Sequence, residues 1–214
     1  MDDRLPATPR VEYDTAGIDI GDLDPDPFKQ FLTWFREAES AGVPEPTAFV
    51  LATAASDARP SARAVLMKDF GPDGLVFYTN YHSRKGAELS ANPQAAAAFV
   101  WVPLHRQVRL EGRVERVSAE QSDAYFASRP REAQLAAAAS PQSQVVGGRA
   151  DLEAAMAEVT AVNEGREVAR PPHWGGWRLI PEEFEFWQGR LNRFHDRLLY
   201  RAEGDAWRIE RLAP

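Results

Sequence analysis

The chain has 214 residues, a formal net charge of −7 and no cysteine. It is long enough for one domain with a sizeable core or two small ones. The acidic balance argues against non-specific nucleic-acid or membrane binding, since both need a basic face, so any bound anion must sit in a local cationic pocket. No disulfide, cysteine-ligated metal centre or thiol nucleophile can form, and no metal is expected. The start, MDDRLPATPR, lacks the apolar core of a signal peptide, and no apolar run approaches the ~20 residues of a membrane helix. A cytoplasmic location is the expectation.

Residues 1–26 are polar and rich in Asp, Pro and Gly, and read as an extended arm ahead of a folded domain over 27–214. Asp26-Pro27 is a helix start, a cap followed by proline at the first helical position. Phe28, Phe31, Leu32 and Phe35 then recur at helical spacing up to Gly42. Strand-like runs follow at 47–54, 61–70 and 75–80, separated by the turn sequences SDARP and GPDG. Ser83 to Ala91 reads as a short helix, and 95–104 and 106–118 as two strands. The second of these alternates Val108, Leu110, Gly112 and Val114 with charged partners, which gives it one wet face. Helices are expected over 119–128, 131–139 and 150–164. The end returns to strands in GGWRLIPEEFEFWQG, RFHDRLLYRAEG and AWRIERLA, with Gly204-Asp205 as the last turn. Strands at both ends with helices inserted between them describe a mainly β, α+β chain built on an antiparallel barrel. No GxGxxG follows a strand and no GxxxxGK[ST] is present, which argues against a Rossmann or P-loop nucleotide site.

Several polar clusters stand out. Arg63 and Val65 share one face of their strand, and Leu66 and Lys68 the other. The cations either end an edge strand or frame a ligand. Ser83-Arg84-Lys85 opens the short helix, where cations oppose the macrodipole at a cost of a few tenths of a kcal/mol each. The placement fits either a solvated basic turn or a docked anion. Tyr125 and Arg129 are four apart on one helical face, as a helix C-terminus or as a phosphate clamp. Gln142-Ser143 lies in a Pro-flanked loop and offers hydrogen bonds. Trp174-Gly-Gly-Trp177 is a packing motif first. From Phe186 to Tyr200, FWQGRLNRFHDRLLY brings Trp187, Arg193, His195, Asp196 and Arg197 together. Cations beside rings suit a flat, anionic, aromatic ligand, and they equally suit a surface ion-pair ladder.

In order, RxVLxK, FYTN, SRK, RQV, YFxSRPR, QS, WGGxR, FWQG, RxHDR and the ending RLAP resemble the pattern of the pyridoxamine 5'-phosphate oxidase family over nearly the whole chain. The arm fits too, through Arg10-Val-Glu-Tyr13. The resemblance implies an FMN-binding split β-barrel that forms a homodimer, with FMN at the interface. It implies oxidation of pyridoxamine 5'-phosphate or pyridoxine 5'-phosphate to pyridoxal 5'-phosphate, with O2 reduced to H2O2. Carried over by motif, FMN would contact Arg63, Ala64, Val65, Leu66, Met67 and Lys68, then Tyr78, Thr79, Arg84, Lys85, Gln107, Gln142, Ser143, Trp187 and Arg197. Lys68, Tyr125 and Arg129 would hold the substrate phosphate. Arg193 and His195 would lie over the substrate ring as the catalytic pair, and Arg10 and Tyr13 would belong to an arm that closes over it.

Two positions depart from the pattern. Ala133 replaces a serine that meets the substrate phosphate, and Glu45 stands where some members carry aspartate. Losing one charge-assisted hydrogen bond costs on the order of 1.5–3 kcal/mol of affinity unless water replaces it. Two rival readings are a split-barrel reductase using a deazaflavin and a flavin-binding store without turnover. The RxHDR ending and the YFxSRPR clamp speak against the first, and only Ala133 speaks for the second.

Overall fold

The computed structural model describes residues 12–214, and Arg10 lies outside them. The chain divides into two compact units. One joins the described residues up to Pro46 with Val100–Arg109 and Glu183–Pro214, and the other takes Thr47–Phe99 and Leu110–Glu182.

In the first unit, α1 (Pro27–Ser40) begins as its sequence requires: the Asp26 side chain accepts from Phe28 N–H at 2.9 Å, with proline in the first turn. Phe31, Trp34 and Ala38 form its buried stripe. Trp34 packs edge-on against Phe186 at 5.2 Å, and Phe31 lies 6.0 Å from Trp101. The end of β7 (Trp174–Gln188) pairs antiparallel with β8 (Asp196–Glu203), which pairs with β9 (Ala206–Arg211). Tyr200, buried on β8, donates its hydroxyl to the Asp24 carbonyl at 2.8 Å.

The second unit holds β1 (Ala48–Ala54), β2 (Pro60–Leu66), β3 (Asp69–Gly71), β4 (Gly74–Asn80) and α2 (Arg84–Ala91). It also takes most of β5 (Gln94–Trp101) and of β6 (Arg106–Arg116), then α3 (Ala119–Ser128), α4 (Arg131–Ala139), α5 (Arg149–Val162) and the start of β7. Its strand order is β2-β1-β5-β6-β7-β4-β3. Phe49, Phe77 and Phe99 fill the core between Leu51, Leu75, Leu110 and Leu179, all buried. A satellite cluster of Phe126, Leu135, Val168 and Trp174 packs under α3 and α4, with Tyr78 and Tyr125 at its edge. The architecture is thus mainly β, antiparallel and helix-decorated, as the order of elements in the sequence leads one to expect.

Three expected strands are cut differently. The run 61–70 is two strands, because the chain changes partner within it. Up to Leu66 it pairs with β1, Met67 N–H still bonds to the Thr47 carbonyl, and Lys68 N–H bonds to the Val76 carbonyl of β4, each at 2.9 Å. Lys68 therefore lies beyond the strand that carries Arg63. The run 95–104 ends at Trp101, where Val102–Leu104 tighten into a 3-10 turn closed by His105 at φ 50. The run starting at Arg193 becomes a strand only at Asp196, since Leu191–Arg193 form another 3-10 turn.

Candidate functional site

The second unit gathers its cations around one acid. Arg63, on β2, donates to the Leu51 carbonyl at 3.1 Å and the Thr53 hydroxyl at 2.6 Å, and meets Ser61 and Glu88. Glu88, on α2, also accepts from Ser61 at 2.6 Å, from Thr53 and from Arg84 Nε at 2.8 Å. Burial pushes the Glu88 carboxyl up, but the bonds from Ser61, Thr53, Arg84 and Arg63 together outweigh it and hold the pKa at about 2. Beside it, Lys85 Nζ donates to Thr79 Oγ1 at 3.0 Å and to Gln142 Oε1 at 3.1 Å. Burial first, and Arg63 second, lower the pKa of Lys85. Ser83 caps α2 by accepting from Gly86 N–H, so the helix presents its N-terminus here. Three cations against one carboxylate leave net positive charge at a helix start, a combination that accepts a phosphate.

A second cluster, built on one arginine, lies against an aromatic wall. Tyr78 and Tyr125 stack with ring centroids 3.9 Å apart, and Trp174 lies 5.5 Å from Tyr78. Gly176 makes the wall possible, since a Cβ there would sit 2.8 Å from the Tyr78 ring. Arg129, the C-cap of α3, lays its guanidinium 4.7 Å over Trp174. Its Nη1 is buried and has no hydrogen-bond partner among the described residues. An orphaned buried charged donor is costly, and an incoming anion removes that cost. Lys68 is exposed, Ala133 sits half-buried in the first turn of α4, and Ser143 is exposed in the loop at φ 69. Of the β2 positions assigned to FMN, Ala64 and Leu66 are exposed and Val65 half-buried; Met67, just past the strand, faces the core.

The first unit builds the other expected cluster. Trp187 is the register partner of Arg197 across β7 and β8, and its ring lies 4.7 Å from that of His195. His195 Nδ1 accepts from Arg190 N–H at 3.0 Å, which leaves Nε2 as the proton-bearing nitrogen of the neutral ring. Tyr13 of the arm stacks on His105 at 4.3 Å and reaches Trp187 and His195 at 6.2 and 5.8 Å. Gly189 is needed beneath it, since a Cβ would meet the Tyr13 ring at 2.5 Å. Arg193 is exposed at φ 60, following Asn192 at φ 57, and the turn is held by Asn192 N–H bonding to Glu12 at 3.2 Å. Arg197 is committed within the protein: it makes a two-pronged pair with buried Glu185 at 2.6 and 3.2 Å, which raises its pKa. Gln107 is half-buried on β6.

The structure thus groups Arg63, Thr79, Arg84, Lys85 and Gln142 in one place, Tyr78, Tyr125 and Arg129 in a second, and Tyr13, Trp187 and His195 in a third. Glu88, Glu185 and His105 were missed by the sequence reading. A lone glutamate within a helix carries no local signal of burial, and His105 is marked only by the RQV motif beside it.

Residues 35–163 match the family profile described as pyridoxamine 5'-phosphate oxidase, and residues 174–214 match the pyridoxine 5'-phosphate oxidase C-terminal dimerisation region. The chain belongs to the pyridoxamine 5'-phosphate oxidase family. It is 57% identical over 205 residues to the pyridoxine/pyridoxamine 5'-phosphate oxidase of Rubrobacter xylanophilus, covering 96% of this chain and 94% of that one. It is 52% identical over 213 residues to the enzyme of that name from a Nostoc species, covering 99% of this chain and all of the other. Among solved structures, PhzG from Burkholderia lata, in complex with tetrahydrophenazine-1-carboxylic acid, superposes with a TM-score of 0.88 at 32% identity. That match covers 95% of this chain and 100% of PhzG. A Nostoc punctiforme FMN-binding protein shares the fold at a TM-score of 0.70 and 17% identity, over 90% of this chain and 100% of that one.

Proposed function

We propose that this family member oxidises pyridoxamine 5'-phosphate and pyridoxine 5'-phosphate to pyridoxal 5'-phosphate, with FMN as cofactor and O2 reduced to H2O2. The observation that carries the reading is the buried, unpartnered Nη1 of Arg129 over Trp174, an anion seat against an aromatic wall. The residues present fit FMN as well. Arg63, Arg84 and Lys85 at the start of α2 suit a phosphate dianion, and Thr79 and Gln142 already meet the Lys85 amine. FMN, when bound, supplies the hydride-accepting centre and the route of electrons to O2.

The chain's own residues do the rest. Tyr125, Arg129 and Lys68 hold the substrate phosphate. The left-handed turn presents Arg193 outward to align the substrate ring, and His195, with Nδ1 occupied by Arg190 N–H, donates from Nε2. Tyr13, seated on His105, covers the ring and excludes water.

A homodimer belongs to the same proposal. The match to the dimerisation region supports it, as does the outer face of β1 and β2. There Ala48, Val50 and Ala52 lie opposite Leu66, Ala64 and Ala62, an apolar face left partly or fully exposed. Among the described residues no helix is long and apolar enough to cross a membrane, and a cytoplasmic location is part of the proposal.

The test is purified protein with FMN and pyridoxine 5'-phosphate under air. Formation of pyridoxal 5'-phosphate with equimolar peroxide is expected, and absence of both would leave a flavin store. The likeness to PhzG, solved with a ring carboxylic acid, gives a second reading, since an arginine seat accepts a carboxylate as well as a phosphate. Turnover of a phosphate-free ring carboxylate, without turnover of pyridoxine 5'-phosphate, would favour it.

A further inference from the structure

Asp196 opens β8 and is the acid of the RxHDR run, yet no part in holding FMN or substrate falls to it. Its side chain is 14% exposed and collects three donors. Oδ2 accepts from Ile18 N–H and from Arg190 Nη1, each at 3.1 Å, and Oδ1 accepts from Arg211 Nη1 at 2.6 Å. Arg211 grips the arm a second time, donating to the Ile18 carbonyl at 2.9 Å and to the Asp19 carboxylate at 3.0 Å. Gln188, the register partner of Asp196, donates to Thr15 Oγ1 at 3.3 Å, and the Thr15 hydroxyl donates to the Gly189 carbonyl. The stretch from Thr15 to Asp19 is thus stitched to the paired ends of β7 and β8. Arg190 is held at both ends: its side chain meets Asp196, and its backbone N–H donates to His195 Nδ1 at 3.0 Å. Gly17 passes directly over that guanidinium, since a Cβ there would overlap Arg190 Nη1 and sit 3.0 Å from Asp196 Oδ2. Only a residue without a side chain lets the arm close on this ion pair.

We infer that Asp196 is a positioning residue: one carboxylate seats the arm that carries Tyr13 and, through Arg190, fixes the ring of His195. The inference rests on the proposed oxidation for its kinetic consequence alone. An ionised carboxylate offers only acceptors, about four of them, and suits three donors arriving together. A carboxamide of the same shape has one acceptor oxygen and turns an NH2 toward the arm or toward a guanidinium. Asp196→Asn therefore loses at least one of the three bonds with little change in packing. Arg190 and Arg211 are 40% and 41% exposed, so their pairs with Asp196 add little to global stability, and the effect of the network is local.

FMN-loaded wild type, Asp196→Asn, Gly17→Ala and Arg201→Ala test the inference by hydrogen exchange and steady-state kinetics. Gly17→Ala pushes Arg190 off Asp196 while leaving both residues in the chain. Arg201 pairs with Glu183 further along β8, and its variant controls for general loosening of that strand. Amides of residues 12–19 should exchange about tenfold or more faster in Asp196→Asn and Gly17→Ala, and at the wild-type rate in Arg201→Ala. The ring nitrogen resonances of His195 should shift in the same two variants. KM for pyridoxine 5'-phosphate should rise about tenfold in both, with FMN affinity unchanged, and Asp196→Glu, which keeps the charge, should recover part of the loss. Should Asp196→Asn fold poorly, Gly17→Ala carries the test. Arm exchange at the wild-type rate in Asp196→Asn and Gly17→Ala, an equal rise in Arg201→Ala, or faster exchange with KM unchanged would each overturn the assignment. A wild type that forms no pyridoxal 5'-phosphate would overturn the proposed reaction instead, and arm exchange, read without substrate, would still decide the role of Asp196.

Discussion

Half-buried Arg63 and buried Glu88 form an ion pair, with Nη2 3.2 Å from Oε2, at the centre of a cationic cluster. Glu88 is the only acid among the described partners of Arg63 and Arg84. Its carboxyl, held at about 2 against an ordinary value of 4.5, titrates at lower pH in the folded chain than in the unfolded one. The sign follows: the stabilisation is complete above about pH 4.5 and is lost as pH falls toward about 2. Its size is on the order of 3 kcal/mol at most. Glu88→Gln should therefore lower stability at pH 7 by an amount of that order and flatten the acid limb of the stability curve. Urea unfolding between pH 2 and pH 7 checks it. An acid limb as steep as that of wild type would remove Glu88 as its source.

The two cations at the start of α2 are not equivalent, although the sequence presents them as a pair. Arg84 is spent on Glu88 at 2.8 Å, whereas among the described residues Lys85 donates to neutral oxygens, those of Thr79 and Gln142. Its depressed pKa, caused first by burial, marks an amine that gains from an anion. Lys85→Met should weaken FMN binding by about 10–100-fold, the worth of one charge-assisted bond of ~1.5–3 kcal/mol. Arg84→Ala should cost less. Fluorescence titration of apo-protein with FMN measures both, and equal losses would contradict the division of roles.

Much of this could be read in the sequence because it rests on local rules. The Asp26-Pro27 start of α1, the strand of alternating apolar residues in β6 and the Ser83 cap follow from spacing and capping alone. What could not be read depends on partners distant in the chain. The break between β2 and β3 arises from the exchange of β1 for β4 as partner. Glu88 looks like a surface residue of a short helix until Arg63 and Ser61 from β2 close over it. The pairing of Arg197 with Glu185, a residue of the neighbouring strand, is likewise invisible in the sequence. The turn at Leu191–Arg193 puts two non-glycine residues at positive φ, a conformation that propensity disfavours and that Glu12 and His195 help to hold.

Ala133 occupies the first turn of α4, one helix start beyond Arg129, with its N–H on the Pro130 carbonyl at 2.9 Å. Ala133→Ser places a hydroxyl donor at a helix N-terminus facing the proposed substrate phosphate, which is remote from the reacting carbon. Such a contact acts on ground state and transition state alike, so KM should fall while kcat holds. Steady-state kinetics with pyridoxine 5'-phosphate decide it. A KM that does not fall would separate position 133 from the phosphate.

Tyr13 and His105 stack at 4.3 Å with planes 28° apart, which ties the arm to the turn before β6. If that stack seats the arm over substrate, Tyr13→Ala and His105→Ala should each raise KM, and the double variant should be no worse than either single one, since both remove one contact. His105→Phe should retain the effect of stacking. Additive losses in the double-mutant cycle would mean that the two rings act separately.

The last prediction separates Arg193 from His195. Arg193 projects from a left-handed turn and is exposed, placed to meet a ligand, whereas His195 already accepts a bond at Nδ1 from Arg190. Arg193→Leu should slow anaerobic reduction of bound flavin by pyridoxine 5'-phosphate on the order of 10²-fold, as expected for a misaligned hydride donor, and leave FMN affinity nearly unchanged. His195→Ala should cost less than the ~10²–10⁴-fold typical of a lost acid or base and should keep the wild-type pH profile, because its role is to donate and orient. Stopped-flow reduction across pH resolves the two. A pH limb that disappears in His195→Ala would make that imidazole a proton carrier, and normal flavin reduction in Arg193→Leu would return the turn to a purely structural role.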